Sequence, residues 1–189
     1  MNPFRTTAFA LLAILGASAA TAARAESTVA TSGGYVDEAM FRALVDDNQD
    51  VVEVNLDGAI LQALAKSGSS DHDARDTKDL FAKLKSIHAV IGTVKGPADA
   101  ALALVQKTDQ KLVAAGWQRV TRIADSTSTV SVLTHTVSDK VDGLVVLIFD
   151  SKDKELVFAN LAGEIDVTQL GEIGKRLNVP GLDQVPGAR

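Results

Sequence analysis

Apolar residues in this chain alternate with polar ones in some stretches and recur at helical spacing in others, and the switches between the two periods mark the elements. VVEVNL (51–56) sets Val52, Val54 and Leu56 on one side, the period-two pattern of a strand. Asp57 stands where a helix cap belongs, and Ile60, Leu61 and Leu64 follow at helical spacing. SGSSDHDARD (67–76) reads as a polar loop, after which Asp76 introduces a second helical piece with Leu80, Phe81 and Leu84 on one side. Ser86 to Lys95, containing IHAVIGTV, reads as a strand that Gly96-Pro97 ends. Proline suits the first helical position, so a helix is predicted over 97–115 with Leu102, Val105 and Leu112 as its buried stripe, stopped by Gly116.

From Trp117 the period falls to two. WQRVTRI, TVSVLTHTV, GLVVLIF and ELVFANL read as four strands joined by the short polar turns ADSTS, SDKVD and DSKDK, lengths that hairpins use. Consecutive hairpins demand antiparallel pairing. GLVVLIF is apolar on both sides and belongs at the centre, whereas Gln118, Arg122, Thr129 and Ser131 make the first two strands wetter on one face. DVTQLGEIGKRL is read as a closing helix: Asp166 and Gln169 form a capping-box-like pair, and Leu170, Ile173 and Leu177 form the buried stripe. The expected fold is α+β, a two-layer domain with a mainly antiparallel sheet. That sheet combines the four-strand C-terminal meander with two N-terminal strands, and the helices pack on one face.

The ends modify this picture. Arg5, the apolar run FALLAILGASAA and Ala23-Arg24-Ala25 have the layout of a signal peptide over residues 1–25, cleaved after Ala25. That run is short for a membrane span, so no membrane anchor is expected after cleavage. Residues 26–50 read as a loosely ordered lead-in in which Phe41, Leu44 and Val45 make one short helical turn against the body. The single α+β domain is expected over 51–177, and the Pro- and Gly-containing tail 178–189 is expected to be disordered.

The leader carries Arg5 and Arg24 and no acids, so its removal takes the formal charge from −5 to −7. With no clustered Lys or Arg, nucleic acid is not an expected partner. The chain has no cysteine, which excludes disulfides, thiol chemistry, Cys-bound zinc and iron–sulfur clusters, and also lipid attachment to a processed N-terminal Cys. With 46% hydrophobic residues, a core alone can hold the fold.

EVNLDGAIL, LKSIHAV, GWQRVTRIAD, GLVVLIFDSKDKELVFANLAGEID and the closing helix follow one another in an order and spacing that resembles the exported bacterial proteins grouped as domain of unknown function 4252 (DUF4252). The likeness runs from about Val51 to Leu177, and its most telling pieces are Gly116-Trp117-x-Arg119-Val120 and Asn160-x-x-Gly163-x-Ile165-Asp166. Neither piece is a catalytic signature. The resemblance implies an exported α+β domain with no established activity and no active site to carry over. It also implies a setting near extracytoplasmic sigma-factor systems, and hence a regulatory or envelope-sensing role.

Asn160 at the end of a buried strand could donate a hydrogen bond to a substrate beside a helix N-terminus. The preferred reading gives it loop amides to satisfy, with Gly163 supplying a positive φ and Asp166 capping the helix. The three histidines are His72, His88 and His135. Asp71-His72-Asp73, with Asp76 and Asp79, lacks calcium-loop or zinc spacing and reads as a solvated acidic loop. His88 and His135 lie on different strands and could meet only in a particular register.

No Gly-x-Ser-x-Gly elbow exists, and Gly33-Gly34 and Gly96-Pro97 lack the context of a phosphate loop. Asp46-Asp47 and the acids of DSKDKE read as solvated surface. Trp117 reads as a core ring stapling helix to sheet, and Arg119 and Arg122 are expected on opposite faces of their strand. No catalytic, cofactor-binding or metal-ligating residue is therefore assigned, and no cofactor. The expected function is a non-catalytic periplasmic protein-interaction or envelope-regulatory module whose partner is an envelope protein, bound through the wetter sheet face or an exposed edge. The alternatives are a small-ligand carrier with an apolar cavity and a hydrolase using His135 or His88 with an Asp.

Overall fold

The computed structural model describes residues 33–67 and 72–166. Its elements in chain order are α1 (Ala39–Arg42), β1 (Val51–Asp57), α2 (Gly58–Ser67), α3 (His72–Lys83), β2 (Leu84–Thr93), α4 (Ala98–Ala114), β3 (Gln118–Ala124), β4 (Ser128–Val137), β5 (Lys140–Asp150) and β6 (Glu155–Ile165). The six strands form one sheet in the order β1-β2-β6-β5-β4-β3, with every neighbouring pair antiparallel. The class is α+β, and the meander from β3 to β6 joins the two N-terminal strands through the β2–β6 pair. The doubly apolar GLVVLIF segment lies in β5, beside β6 at the centre. The signal peptide, the closing helix and the tail read from the sequence lie outside the described residues.

Strand alternation sorts the buried side chains into two clusters. Val145, Leu147, Phe149, Leu156, Phe158, Val90 and Leu133 face one way, and α4 sets Ala101, Val105 and Leu112 on them, with Trp117 just beyond the helix. Leu144, Val146, Ile148, Val130, Val132, Ala159, Ile87 and Ala89 face the other way, where they meet Leu61 of α2 and Leu80 and Phe81 of α3. The helices thus divide between the α4 face and the α2–α3 face of the sheet.

Residues 33–50 are bound to the body. Phe41 and Val45 are fully buried on the α4 face, where the Phe41 ring stacks on Phe158 with centroids 4.5 Å apart. Val45 also forms an isolated bridge with Val94, and Arg42 reaches Glu53 of β1 at 2.7 Å. This part of the expected lead-in is therefore packed, because its apolar residues had a sheet face to cover.

Three local differences have physical causes. α3 begins at His72, so the expected loop 67–76 is shorter: acids early in a helix favour its positive end, and no Gly or Pro interrupts the segment. Ser138 and Asp139 both have positive φ, at 49° and 63°, and close a two-residue hairpin, which leaves Asp142 inside β5. β6 runs on through Gly163 to Ile165. Gly163 does take a positive φ, at 134°, opposite Leu84 where the β2–β6 register shifts. A Cβ there would lie 2.6 Å from Leu84 Cα, so only glycine fits.

Candidate functional site

The polar residues that drew attention in the sequence converge on one end of the α4 face, beneath the segment Gly33–Glu38. His88 of β2 is paired across the ladder with Asn160 of β6, and Asn160 with Val145 of β5. His135 of β4 stands opposite Gly143 of β5. The His88–Asn160–Val145 row continues to Leu133 of β4, and His135 stands two residues further along that strand; the backbone of residues 33–38 lies over this patch like a strap.

Asn160 is completely buried and fastens the strap. Its Oδ1 accepts from the Val36 amide at 2.9 Å, while Nδ2 donates to the Gly34 carbonyl at 2.9 Å and the Leu144 carbonyl at 3.1 Å. All three of these bonds go to backbone, and the one from Val36 is the loop amide that the structural reading expected. Gly34 lies so close to β5 that an added Cβ would sit 2.0 Å from the Asp142 carbonyl oxygen. Gly143 is its counterpart, since a Cβ there would meet Gly34 Cα at 2.5 Å. The Gly-Gly pair thus serves close backbone approach.

A histidine–carboxylate pair flanks Asn160 on each side. His88, 7% exposed, lies 3.2 Å from Glu38 Oε1, and Tyr35 donates to Glu38 Oε2 at 3.3 Å while standing edge-on to the imidazole. The His88 hydrogen bond holds the Glu38 carboxyl below its usual range, against the opposing effect of burial. Burial, followed by the charges of Glu38 and Asp37, pushes the Tyr35 phenol up to about 12. On the other side, His135 Nδ1 lies 2.6 Å from Asp142 Oδ1, and the His135 ring stands 5.3 Å from Trp117. The two histidines do not meet, because β6 and β5 lie between their strands. Ser86, two residues before His88 on the same face, is fully buried with no hydrogen-bond partner for its hydroxyl.

A second polar cluster ties α4 to the sheet. Asp109, 4% exposed, accepts from Ser131 Oγ and from both Nε and Nη2 of Arg119, the Nε bond being 3.1 Å long. Ser131 and Thr129, expected on a wetter face, are therefore buried under α4. The expectation for the two arginines is overturned as well. A bulge between Arg119 and Thr121 pairs Arg119 with Leu133 and Arg122 with Ser131, so both side chains lie on the α4 face. Simple alternation misassigns them by the one inserted residue.

The chemistry available is narrow. Among the described residues, no three His, Asp or Glu side chains gather as metal ligands, and no helix is long and apolar enough to cross a membrane. Asp79 is exposed on α3, and Asp71 lies outside the described residues. The partners that sequence reasoning missed are Tyr35, Glu38, Asp109 and Asp142. No sequence spacing marks them: Tyr35 and Glu38 lie in irregular chain before α1, and Asp109 and Asp142 meet their partners only through the fold.

A family model described as "Domain of unknown function (DUF4252)" matches residues 41–173. The chain belongs to the DUF4252 family. No curated protein matches it. The family match takes in His88, Asn160, His135, Asp142 and the whole sheet, whereas the strap residues Gly34, Tyr35 and Glu38 precede it. For the DUF4252 domain, the polar row therefore belongs to the matched region and the cover over it does not.

Proposed function

We propose that this chain is a non-catalytic protein-interaction module of the bacterial envelope that takes a partner strand along β3. The observation that carries the reading is the exposure of this edge. β3 ends the sheet among the described residues, six of its seven residues are exposed, and Val120 and Ile123 turn 38% and 48% of their surface to water. An open strand edge offers unpaired amides and carbonyls, and apolar side chains beside it add affinity for an extended segment. Asn160 and His88 are meanwhile engaged with the strap, and His135 with Asp142 of β5. The leader read in the sequence supports an envelope location, which fractionation of cells expressing the full chain tests: recovery in the cytosol alone overturns it.

A photo-crosslinking residue at Val120, compared with one at exposed Lys152, tests the edge. A recurrent adduct specific to position 120 is expected. Equal yields at both sites overturn the reading. The 2.6 Å His135–Asp142 pair favours a second reading, a hydrolase using His135 as base. His135→Ala should then abolish any turnover found with ester or amide probes, and unchanged turnover removes that reading.

A further inference from the structure

We infer that the strand accepted by β3 is an extended segment in which acidic residues alternate with β-branched apolar ones, and that a second copy of this chain is refused. The inference rests on the edge-pairing reading above. Residues paired across a ladder share a face, so Arg119 and Arg122 both project on the α4 side of β3, with Thr121 and Ile123 on the other. Arg119 is held by Asp109, whereas Arg122 is exposed and has no ion pair among the described residues. An incoming strand therefore meets one uncompensated cation on one face and the half-exposed Ile123 on the other.

Self-pairing meets the same cation twice. In the two-fold antiparallel registers that bring β3 against its own copy, the two Arg122 side chains stand opposite or diagonal to each other. Like charges so placed oppose pairing, and an acid in the same position favours it. The bulge at Val120 also confines regular pairing to the Thr121–Ala124 half of the strand, which centres any partner on Arg122. The geometry thus selects against the chain itself, whose formal charge is −5, only through this local contact, since overall charge repels copies weakly at physiological salt.

The test uses two capped peptides of equal length that alternate Val and Thr with Glu in one and with Lys in the other. Binding to the purified chain is measured by calorimetry, with amide shifts in β3 reporting location. The Glu peptide should bind roughly threefold to tenfold more tightly than the Lys peptide, the range expected for one cross-strand charge pair. Arg122→Glu should reverse that order, and the chain should sediment as a monomer. Equal affinity for the two peptides overturns the acidic preference while leaving edge pairing intact. Binding of neither peptide, or a dimer released by Arg122→Glu, overturns the inference, and the adduct at position 120 then decides separately whether edge pairing also falls.

Discussion

Replacing Asn160 by alanine removes the one side chain that joins β6, β5 and the strap. Three hydrogen bonds disappear: two to strap backbone, at Val36 N and Gly34 O, and one to the Leu144 carbonyl within the sheet. Asn160 and Gly34 are buried and Val36 is half-buried, so the strap groups lose their partners with little gain of water. A buried backbone group left unpaired costs about 1–3 kcal/mol, and two such groups set an expected loss of roughly 2–6 kcal/mol, toward the lower end because Val36 is half-buried. The Leu144 carbonyl adds little, because it loses a second bond within a paired strand. Against a typical domain stability of about 5–15 kcal/mol, this change should shift a urea midpoint strongly. Native-state hydrogen exchange separates the strap from the rest: the Val36 amide should lose protection in the variant while β4 and β5 amides keep theirs under native conditions. Asn55→Ala on exposed β1 controls for truncating an asparagine and should change stability by less than about 0.5 kcal/mol. If Asn160→Ala behaves like Asn55→Ala and Val36 stays protected, the strap is held by something other than Asn160.

Three further outcomes follow from single sites. Gly163→Ala forces a side chain into a positive φ and against the Leu84 backbone, so a loss above about 3 kcal/mol or recovery only as insoluble protein is expected, read by soluble yield and urea unfolding. Ser86→Ala removes a buried hydroxyl without a partner and should leave stability unchanged or raise it by up to about 1 kcal/mol, measured by the same unfolding curve. Tyr35 is the single tyrosine, so ultraviolet absorbance follows its ionisation directly, with an expected midpoint near about 12 in place of the ordinary 10.0. Because the folded value is the higher one, the stabilisation from this phenol is present below pH 10.0 and is lost as the pH rises toward about 12.

Much of the fold could be read from periodicity, because burial imposes it locally. β1, α4 and the starts of β3 and β6 fall within two residues of their expected positions, each fixed by a run of apolar spacing and a Gly, Pro or Asp at its end. The errors came where the chain changes count by one. The bulge at Val120 inverts the face of everything after it in β3, and nothing in QRVTRIA marks it. The hairpin at Ser138-Asp139 uses two positive-φ residues without the Asn-Gly pair that announces such a turn, so from sequence Asp142 reads as loop and its place beside His135 stays hidden.

The candidate site was legible only in part for a different reason. Asn160, His88 and His135 stood out as unusual polar residues in apolar strands, but their partners are distant in sequence. Asn160 bonds residues 124 and 126 positions away, and His88 meets Glu38 across 50. A polar residue in a buried strand states that a partner must exist, since burying it alone is costly, yet it does not say which. The strap supplies that partner for one row of the α4 face, and α4 supplies it through Asp109 for another. With both sets of hydrogen bonds met inside the domain, the polar groups beside the open β3 edge are the ones placed to meet an incoming strand. Arg119 is drawn inward by Asp109 and Arg122 is not, so the bulge that puts them on one face also leaves a single positive charge beside an open edge. If the strap and its imidazoles were the working surface instead, charge reversal at Arg122 would leave partner binding unchanged, whereas loosening the strap through Asn160 would abolish it.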